Sequence, residues 1–366
     1  MVKEKIMEKL RVGIVGATGL VGQTFISLLE NHPWFELSSL FASPRSKGKT
    51  YVEAMEGRWR YAAEMPEKVK NMQVRGTDEI AALASDLDFV FCAVDIERES
   101  LVQLEEGIAK LEIPVISNNS AMRWTPDVPM IIPEINPEHT ILIDSQRKRL
   151  NTKHGFIAVK PNCSIQSYVP AITALLDFEP EEIFVSTYQA VSCSGKTLAT
   201  ADEMRNNVIP FIGGEEEKSE WEPLRVWGRA KGGSVELARK PIISAQCYRV
   251  SVEYGHTAAV SIRFRKDITK AEILERWEDF QGHESVRDLP SAPAKFLEYR
   301  AEDNRPQPLL DAMAGEGMGI TIGRLRKDPI FDYKFTCLSH NLIRGAAGGA
   351  VLTAELLLKQ GYLKRK

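Results

Sequence analysis

A cysteine in a polar turn is the first candidate for chemistry in this sequence. Cys163 stands in the segment KPNCS, between Asn162 and Ser164, which is an unusual setting for a cysteine that only packs in a core. A helix beginning at Ser164 would place free backbone amides beside the sulfur, and such amides stabilise a thiolate and lower the pKa of the thiol. A thiolate of this kind can attack a carbonyl carbon and hold the substrate as a thioester. Most single cysteines are structural, so a nucleophilic role depends on what accompanies this one.

A thiol enzyme needs a group that handles protons, and the chain has six histidines. His256 closes the segment RVSVEYGH, seven residues after Arg249, with Gly255 permitting a sharp turn just before it. We interpret His256 as a general acid/base, and a hydrogen-bonded histidine at a sheet edge is the alternative. Three others lie beside proline, glutamate or loop residues and are interpreted as surface positions: His32, His139 and His283.

Three glycines mark a candidate nucleotide site near the N-terminus. Gly16, Gly19 and Gly22 follow the apolar residues 12–15 and precede a helical pattern over 24–32. Glycines at such a turn allow close backbone approach, and free amides at the helix start attract a pyrophosphate. The spacing is GxxGxxG rather than GxGxxG, so a tight turn without ligand is the alternative. The agreement of strand, helix and chain position favours dinucleotide binding.

The loop after the second predicted strand (35–42) indicates which dinucleotide is bound. NAD-binding units place an Asp or Glu there for the ribose 2′-hydroxyl. This loop has no carboxylate, and instead carries Ser43, Arg45, Ser46 and Lys47. Two hydroxyls and two cations suit a 2′-phosphate, so the sequence predicts NADP(H). A solvated basic loop is the alternative.

Three charged residues are candidates for substrate contacts. Arg123, in NNSAMRW, lies in a loop after a predicted strand, where loops of a doubly wound sheet line the ligand crevice. Its planar guanidinium fits a carboxylate or phosphate, and a surface arginine is the alternative. Glu215 and Lys218, in GGEEEK, could pair at helical spacing. From the residues alone, a solvated charge run is the preferred interpretation of these two.

The elements that must position these residues fall into two regions of the chain, which differ in the pattern of their apolar residues. Short apolar strands alternate with helical stretches over about 1–155, which predicts a doubly wound, Rossmann-like parallel sheet. The predicted strands there include DFVFCAV, PVIS, MIIPEI and FIAVKP. Beyond Pro161, longer runs with alternating apolar residues predict an α+β domain with a mixed or antiparallel sheet. The apolar helix near the C-terminus is assigned back to the first domain.

Composition excludes several classes of protein. The chain has 366 residues with 47 Lys+Arg against 50 Asp+Glu, so it lacks the basic excess of a generic nucleic-acid surface. No apolar run reaches the roughly 18 residues of a membrane span, and the N-terminus lacks a secretory h-region. Five scattered cysteines without CxxC spacing suggest neither a disulfide framework nor a metal site. We therefore expect a cytoplasmic protein with no metal, nucleic-acid or membrane partner.

The segments together resemble the aspartate-semialdehyde dehydrogenase family nearly end to end. A single motif is only suggestive, but seven in the family's order are highly specific. The last of them, with RPQP at 305–308, resembles the archaeal and fungal branch. The motifs are GATGLVG, NNSAMRW with DVPMIIPEIN after it, PNCS, QAVS, IPFIGGEEEK, RVSVEYGH and SHNLIRGAAGGA.

The resemblance implies a catalytic set and a cofactor set. Cys163 matches the nucleophile, His256 the general acid/base, and Gln189 the glutamine that orients the thioacyl intermediate. Asn341 matches a residue near the nicotinamide. The implied cofactor-binding positions are Gly16, Ala17, Thr18, Gly19, Leu20, Val21, Gly22, Ser43, Arg45, Ser46, Lys47, Ser192, Gly195 and Asn341.

The resemblance also implies the substrate contacts. Arg249 matches the arginine that grips the substrate carboxylate, and Glu215 matches the carboxylate that receives the amino group. Arg123 and Lys218 match the phosphate-site cations, and Asn162 is counted with the substrate-binding residues.

The implied activity is the NADPH-dependent conversion of 4-aspartyl phosphate to aspartate semialdehyde through a cysteine thioacyl intermediate. This step feeds lysine (through diaminopimelate), threonine, methionine and isoleucine biosynthesis. The implied NADP-binding domain covers 1–155 and 341–366, and a catalytic and dimerisation domain covers 156–340, so a homodimer or homotetramer is expected. The alternatives are a malonyl-CoA reductase or other acyl reductase on the same scaffold and, from another class, a non-catalytic NADP(H)-sensing protein.

One departure from the family lies beside the implied site. Cys193 and Ser194 stand in VSCSG, where the family usually has glycine and alanine. Cys193 follows Gln189 by four residues, so we expect it on the cleft wall near Cys163. Two such thiols can cross-link if their Cα atoms come within about 7 Å, and a buried thiol without a partner is the alternative.

Overall fold

The computed structural model describes residues 8–366, which form two compact units. The first unit contains 8–129, 140–160 and 350–366, and the second contains 130–139 and 161–349. Relative to the predicted division, 156–160 lie in the first unit, while 341–349 and 130–139 lie in the second. The roles of these units as NADP-binding and catalytic domains stay a prediction.

A six-stranded parallel sheet organises the first unit. Its order is β3-β2-β1-β4-β5-β6, with every neighbouring pair parallel. Strands β4, β5 and β6 are buried along their whole length, as expected where both faces of a parallel sheet are covered. The predicted Rossmann-like fold is therefore confirmed. The strands are β1 (Leu10–Val15), β2 (Phe35–Ala42), β3 (Val74–Gly76), β4 (Phe89–Cys92), β5 (Val115–Ser117) and β6 (Ile157–Val159).

Helices connect these strands. α1 packs its apolar face on the sheet, and the ring of Phe25 stacks on Phe91 of β4 with centroids 4.3 Å apart. Ten residues at 77–86 form 3₁₀ turns instead of an α-helix. The α-helices are α1 (Leu20–Leu29), α2 (Tyr51–Ala54), α3 (Glu67–Lys70), α4 (Arg98–Lys110) and α5 (Leu142–Leu150).

The second unit is built on a mixed sheet of seven strands. Its order is β13-β14-β15-β12-β7-β11-β8, and β7 runs parallel to β11 but antiparallel to β12. A separate hairpin pairs β9 with β10. This arrangement confirms the predicted α+β class. The strands are β7 (Pro180–Gln189), β8 (Val208–Ile209), β9 (Arg229–Lys231), β10 (Ser234–Glu236), β11 (Ile242–Val250), β12 (His256–Phe264), β13 (Leu297–Arg300), β14 (Ile320–Lys327) and β15 (Tyr333–Ser339).

The helices of the second unit are short apart from two. The α-helices are α6 (Val169–Thr173), α7 (Glu215–Val226), α8 (Lys270–Asp279) and α9 (Pro308–Asp311). A π-helical stretch, Ile343–Ala347, leads into α10 (Gly348–Lys359), the last helix of the chain. Among residues 8–366, no helix combines the length and the apolar character that crossing a membrane requires.

A buried hydrogen bond joins the last helix of the chain to the rest of the first unit. His32 Nε2 lies 2.8 Å from a carboxylate oxygen of Glu355 in α10. The Nδ1 atom of His32 accepts the backbone N–H groups of Trp34 and Phe35, so the ring proton is on Nε2 and points at the carboxylate. The prediction that His32 lies at the surface is therefore wrong.

The predicted strand MIIPEI is also wrong, because a side chain takes the hydrogen bonds that a strand partner would need. The amide of Asn136 accepts the N–H of Ile132 at 2.8 Å and donates to the carbonyl of Met130 at 2.9 Å. This closes the segment into a turn. Glu134 in the same turn forms a buried two-pronged ion pair with Arg344 at 2.5 and 2.6 Å.

Candidate functional site

The glycine turn of the first unit has the features of a phosphate-binding turn. Gly16 has φ +95°, and a Cβ there would lie 2.2 Å from the carbonyl oxygen of Ala93. A Cβ on Gly22 would lie 2.3 Å from the carbonyl oxygen of Gly16. Helix α1 begins at Leu20 without a side-chain cap and without an acidic residue in its first turn. The first amides of α1 are thus open to an anion, which fits the pyrophosphate of a dinucleotide.

The loop after β2 offers one unengaged cation rather than two. Arg45 is exposed, and its guanidinium makes no hydrogen bond or ion pair among the residues that the structure describes. Lys47 Nζ instead lies 2.7 Å from Asp78 and 3.0 Å from Glu79. Hydrogen bonds to these carboxylates raise the pKa of Lys47. Ser43 is exposed and Ser46 is buried, so the loop fits a 2′-phosphate chiefly through Arg45.

The side chains of His256 and Cys193 both contact Cys163 in the second unit. Its Sγ atom lies 3.3 Å from His256 Nε2 and 3.1 Å from Cys193 Sγ. His256 is the first residue of β12, which runs antiparallel to β7, and Cys193 lies in the 3₁₀ turn directly after β7. The end of β7 and the start of β12 therefore bring both side chains to one edge of the sheet.

The segment after Cys163 differs from the expected helix. It forms one 3₁₀ turn, Ile165–Ser167, followed by the five-residue helix α6. The Ser164 N–H and hydroxyl both donate to the Asn162 side chain at 2.7 Å. No long helix begins at Ser164 as expected, and the sulfur is in contact with the polar groups of His256 and Cys193.

A backbone hydrogen bond fixes the protonation of His256. The N–H of Ala190 donates to His256 Nδ1 at 3.1 Å, and a backbone N–H can only donate. The neutral imidazole therefore carries its proton on Nε2, which points that proton at Cys163. Within residues 8–366, Cys163, Cys193 and His256 form the only group of three donor atoms close enough to hold a metal ion. A metal ion would need a lone pair on Nε2, and this tautomer does not provide one.

The Cys193 thiol lies within hydrogen-bonding distance of this pair. Hydrogen bonding with Cys163, followed by hydrogen bonding with His256, holds the pKa of the Cys193 thiol well below its ordinary value. The positive charge of Arg249 acts in the same direction, and burial opposes it. These contacts therefore favour the thiolate form of Cys193.

A network of polar side chains surrounds Glu215 at the start of α7. Its carboxylate accepts Asn162 Nδ2 at 2.9 Å, Gln189 Nε2 at 3.2 Å and Lys218 Nζ at 2.8 Å. Glu215, Asn162 and Gln189 are all buried. The Oε1 atom of Gln189 is buried without a hydrogen-bond partner, so a donor on a bound molecule would satisfy it.

Two positioning contacts had no signal in the sequence. The Asn162 N–H donates to Glu222 at 2.6 Å, which anchors the backbone one residue before Cys163. Arg249 lies opposite Gln189 in the β7–β11 register and donates through Nη1 to the Ala190 carbonyl at 2.8 Å. The backbone N–H and C=O of Ala190 thus orient His256 and Arg249, respectively. The alanine side chain gives no chemical indication of this role.

Of the remaining candidates from the sequence, Asn341, Ser192 and Gly195 lie in the second unit and Arg123 lies in the first. Asn341 donates to Ser192 Oγ at 2.8 Å and accepts the Gly255 N–H at 2.9 Å, while Gly195 closes the adjacent turn with φ +72°. Arg123 lies in the first unit and is buried. It donates to the carbonyls of Lys160 at 3.0 Å and Asn118 at 3.3 Å, so the alternative of a surface arginine is wrong.

The remaining histidines were not candidates for the site around Cys163, and one of them differs from its predicted surface position. His139 is buried, with Nδ1 3.0 Å from Asn136 and Nε2 3.0 Å from the Gly228 carbonyl, so its predicted surface position is wrong. His283 is exposed, as predicted. His340 is buried, and its Nδ1 accepts two backbone N–H groups.

Comparisons with known proteins agree with this geometry. Residues 11–143 match the model of the semialdehyde dehydrogenase NAD binding domain, and residues 170–344 match that of the semialdehyde dehydrogenase dimerisation domain. The chain belongs to the semialdehyde dehydrogenase family. An aspartate-semialdehyde dehydrogenase of Archaeoglobus fulgidus is 42% identical over 95% of this chain and 98% of its own.

A solved structure and a second curated relative extend the comparison. The aspartate semialdehyde dehydrogenase of Candida albicans, crystallised with NADP, superimposes with a TM-score of 0.86 at 31% identity, over 97% of this chain and all of the other. A malonyl CoA reductase (NADP) of Metallosphaera sedula is 35% identical over 98% of this chain and 99% of its own.

Proposed function

We propose that this protein is an NADP(H)-dependent aspartate-semialdehyde dehydrogenase that converts 4-aspartyl phosphate to aspartate 4-semialdehyde. The observation that carries the proposal is the contact of Cys163 Sγ with His256 Nε2 at 3.3 Å, next to the polar network of Glu215. The curated relatives named aspartate-semialdehyde dehydrogenase support it over nearly the full chain.

The substrate contacts follow from charge. The Glu215 carboxylate and the unpartnered Gln189 Oε1 are acceptors for an α-ammonium group. Arg249 has guanidinium nitrogens besides the one bonded to Ala190, and these suit the α-carboxylate. Lys218 is assigned to the phosphate, and Asn162 holds Glu215 in place. The phosphate role of Arg123 stays a prediction from the resemblance.

The chemistry proceeds through a thioester on Cys163. The thiolate attacks the acyl carbon of the acyl phosphate, the carbon–oxygen bond to phosphate breaks, and phosphate leaves with the electron pair. NADPH supplies a hydride to the thioester carbon. His256 Nε2–H donates to the carbonyl oxygen as it becomes negative, and this bond stabilises the thiohemiacetal until it collapses to aldehyde and thiolate.

The cofactor assignment rests on the first unit. The uncapped start of α1, with the turn 16–22, is the pyrophosphate site, and the loop 43–47 is the 2′-phosphate site. Ser192, Gly195 and Asn341 are assigned to the nicotinamide end. The match to a family NAD binding domain and the NADP in the Candida albicans structure support this assignment.

We further propose a homodimer in the cytoplasm. One face of the mixed sheet exposes apolar side chains from two neighbouring strands, among them Phe184, Tyr188 and Ile242, and the matched dimerisation domain covers this sheet. The five cysteines are all free thiols, which suits a reducing compartment.

Substrate-dependent NADPH oxidation tests the proposal. Purified protein with NADPH is given 4-aspartyl phosphate or malonyl-CoA at matched concentrations, and absorbance is followed. We expect fast oxidation with 4-aspartyl phosphate and little with malonyl-CoA, because a free thioester lacks the ammonium group that Glu215 accepts. Preference for malonyl-CoA would instead favour an acyl-CoA reductase, as the Metallosphaera sedula relative permits. No oxidation with either would favour a non-catalytic NADP(H)-binding protein.

A further inference from the structure

The proposed reaction assigns no task to Cys193, yet its sulfur is in contact with the proposed nucleophile. The two Sγ atoms are 3.1 Å apart, and a disulfide bond is about 2.05 Å long. Closing the gap requires a movement of about 1 Å, which lies within the range of small side-chain rotations. Both residues are partly exposed, so a small oxidant can reach them.

The other three cysteines are poor competitors for oxidation. Cys92, Cys247 and Cys337 are buried, and burial raises the pKa of each thiol. A thiol reacts with peroxides as the thiolate, so these three react slowly at neutral pH. Oxidation is therefore directed to the pair of Cys163 and Cys193.

We propose that Cys193 is a resolving cysteine that converts an oxidised Cys163 into a reversible Cys163–Cys193 disulfide. The oxidant is a hydroperoxide. The Cys163 thiolate attacks one peroxide oxygen, the oxygen–oxygen bond breaks, and the products are a sulfenic acid on Cys163 and a hydroxide ion (or alcohol). Cys193 then attacks the Cys163 sulfur as a thiolate, the sulfur–oxygen bond breaks, and hydroxide leaves and is protonated by solvent.

The electrons balance, because two thiols lose two electrons while the peroxide gains two. The disulfide removes the nucleophile and so halts the enzyme, but a dithiol reductant restores both thiols. Without Cys193, sulfenic acid on Cys163 persists and is oxidised further to sulfinic acid, which dithiols do not reduce. The pair thus protects the enzyme from permanent loss of its nucleophile.

The experiment compares the full-length wild type with Cys193→Ser and with the matched control Cys247→Ser. The control is suitable because a serine hydroxyl at position 247 would lie next to the hydroxyl of Ser219, which already contacts the Cys247 sulfur. Each protein is treated with hydrogen peroxide, quenched with catalase, digested without reductant and mapped by mass spectrometry. Activity is measured before and after dithiothreitol. In the wild type and in Cys247→Ser we expect a cross-linked peptide joining Cys163 to Cys193 and nearly complete recovery. In Cys193→Ser we expect sulfinic acid on Cys163 and recovery below about a tenth.

Two outcomes overturn the proposal. One is wild-type protein carrying sulfenic or sulfinic acid on Cys163 with no cross-linked peptide. The other is equal recovery of wild type and Cys193→Ser. The peptide map does not depend on the substrate, so a disulfide found in a protein inactive on 4-aspartyl phosphate would refute the proposed function alone.

Discussion

The direction of one hydrogen bond determines what His256 can do to Cys163. With Ala190 donating to Nδ1, the Nε2 proton points at the sulfur and at any oxygen bound beside it. A neutral imidazole in this tautomer is a donor to an oxyanion rather than an acceptor for the thiol proton. The neighbouring Cys193 thiol has a lowered pKa, because it hydrogen-bonds with Cys163 and His256.

Arg45 is the residue that we expect to select NADPH over NADH. Arg45→Ala should weaken NADPH binding by more than about tenfold and leave NADH nearly unchanged, because the 2′-phosphate is the group that distinguishes them. Lys47→Ala should have a smaller effect, since Asp78 and Glu79 already engage its ammonium group. Fluorescence titration of both cofactors measures the ratio.

Lys49→Ala is the matched control for charge, as Lys49 is an exposed lysine that follows the loop 43–47. An unchanged NADPH/NADH ratio in Arg45→Ala would mean that the 2′-phosphate is bound elsewhere.

Residue types predicted part of this site, and contacts with the backbone account for what they missed. The sequence indicated Cys163 and His256 because thiol and imidazole groups have distinctive chemistry, and it implied a role for Glu215 only through the resemblance to the family. It could not reveal that Lys47 is paired, because its partners in the chain are about thirty residues away and ion pairs follow no short-range pattern. Nor could it reveal that Ala190 contacts His256 and Arg249, because both contacts are made by main-chain atoms.

At the scale of elements, the π-helical stretch 343–347 packs directly on the nucleophile. A Cβ on Gly345 would lie 2.9 Å from Cys163 Cβ, closer than two such atoms normally approach. Gly345→Ala should therefore displace Cys163 and lower kcat by at least about tenfold, while cofactor affinity stays the same. Steady-state kinetics and NADPH titration separate these effects.

Gly107→Ala is the control for this prediction. Gly107 lies within α4, and a Cβ at this position would meet no atom within 4 Å. The substitution should raise the free energy of unfolding by about 0.5–1 kcal/mol without affecting kcat. Equal kcat in wild type and Gly345→Ala would contradict this prediction. It would show that the π-helical stretch 343–347 shifts to accept the methyl group and leaves Cys163 in place.

His340 lies just before the same stretch and makes the stability of the protein depend on pH. Burial is the main cause that lowers the pKa of His340 to about 4, against about 6.5 in an unfolded chain. The unfolded state therefore binds more protons between these values, and stability falls as pH drops from about 6.5 towards 4, by about 3 kcal/mol in total. Above pH 7 the contribution is constant.

Urea unfolding at a series of pH values from 7.5 to about 4.5 measures this loss. His340→Asn keeps an acceptor for the Leu342 and Ile343 N–H groups but does not titrate, so its stability should fall less over this range. Parallel curves for the two proteins would contradict the assignment.

For the whole molecule, the pattern of alternation along the chain predicted both sheets. Strand β2 was predicted with its observed ends, and it is a mixture of apolar and polar residues that leads into the loop 43–47. MIIPEI is more apolar but is not a strand, since its apolar residues are buried in a turn closed by the Asn136 side chain. Burial alone does not distinguish a strand from a packed turn.

The exposed face of the mixed sheet predicts how copies of the chain associate. Ile242 on β11 is 61% exposed, and the rings of Tyr188 and Tyr248 stack beside each other with centroids 5.7 Å apart. In a twofold-symmetric dimer through this face, Ile242→Asp would bury two unpaired charges. We expect sedimentation velocity to show a shift from dimer to monomer.

Ile330→Asp is the control, since Ile330 is 73% exposed and lies outside that face. A dimer that persists in Ile242→Asp, or that is lost equally in Ile330→Asp, would place the interface elsewhere.

The central claim is that Cys163 carries the acyl group, and it can be tested without the cofactor. Wild-type protein is mixed with 4-aspartyl phosphate in the absence of NADPH, quenched in acid and analysed by intact-mass and peptide mass spectrometry, with released phosphate counted. We predict one aspartyl group on Cys163 and one phosphate per chain, no adduct in Cys163→Ser, and loss of the adduct when NADPH is added. Phosphate release that is equal in Cys163→Ser, with no acyl group on Cys163 in the wild type, would contradict the account.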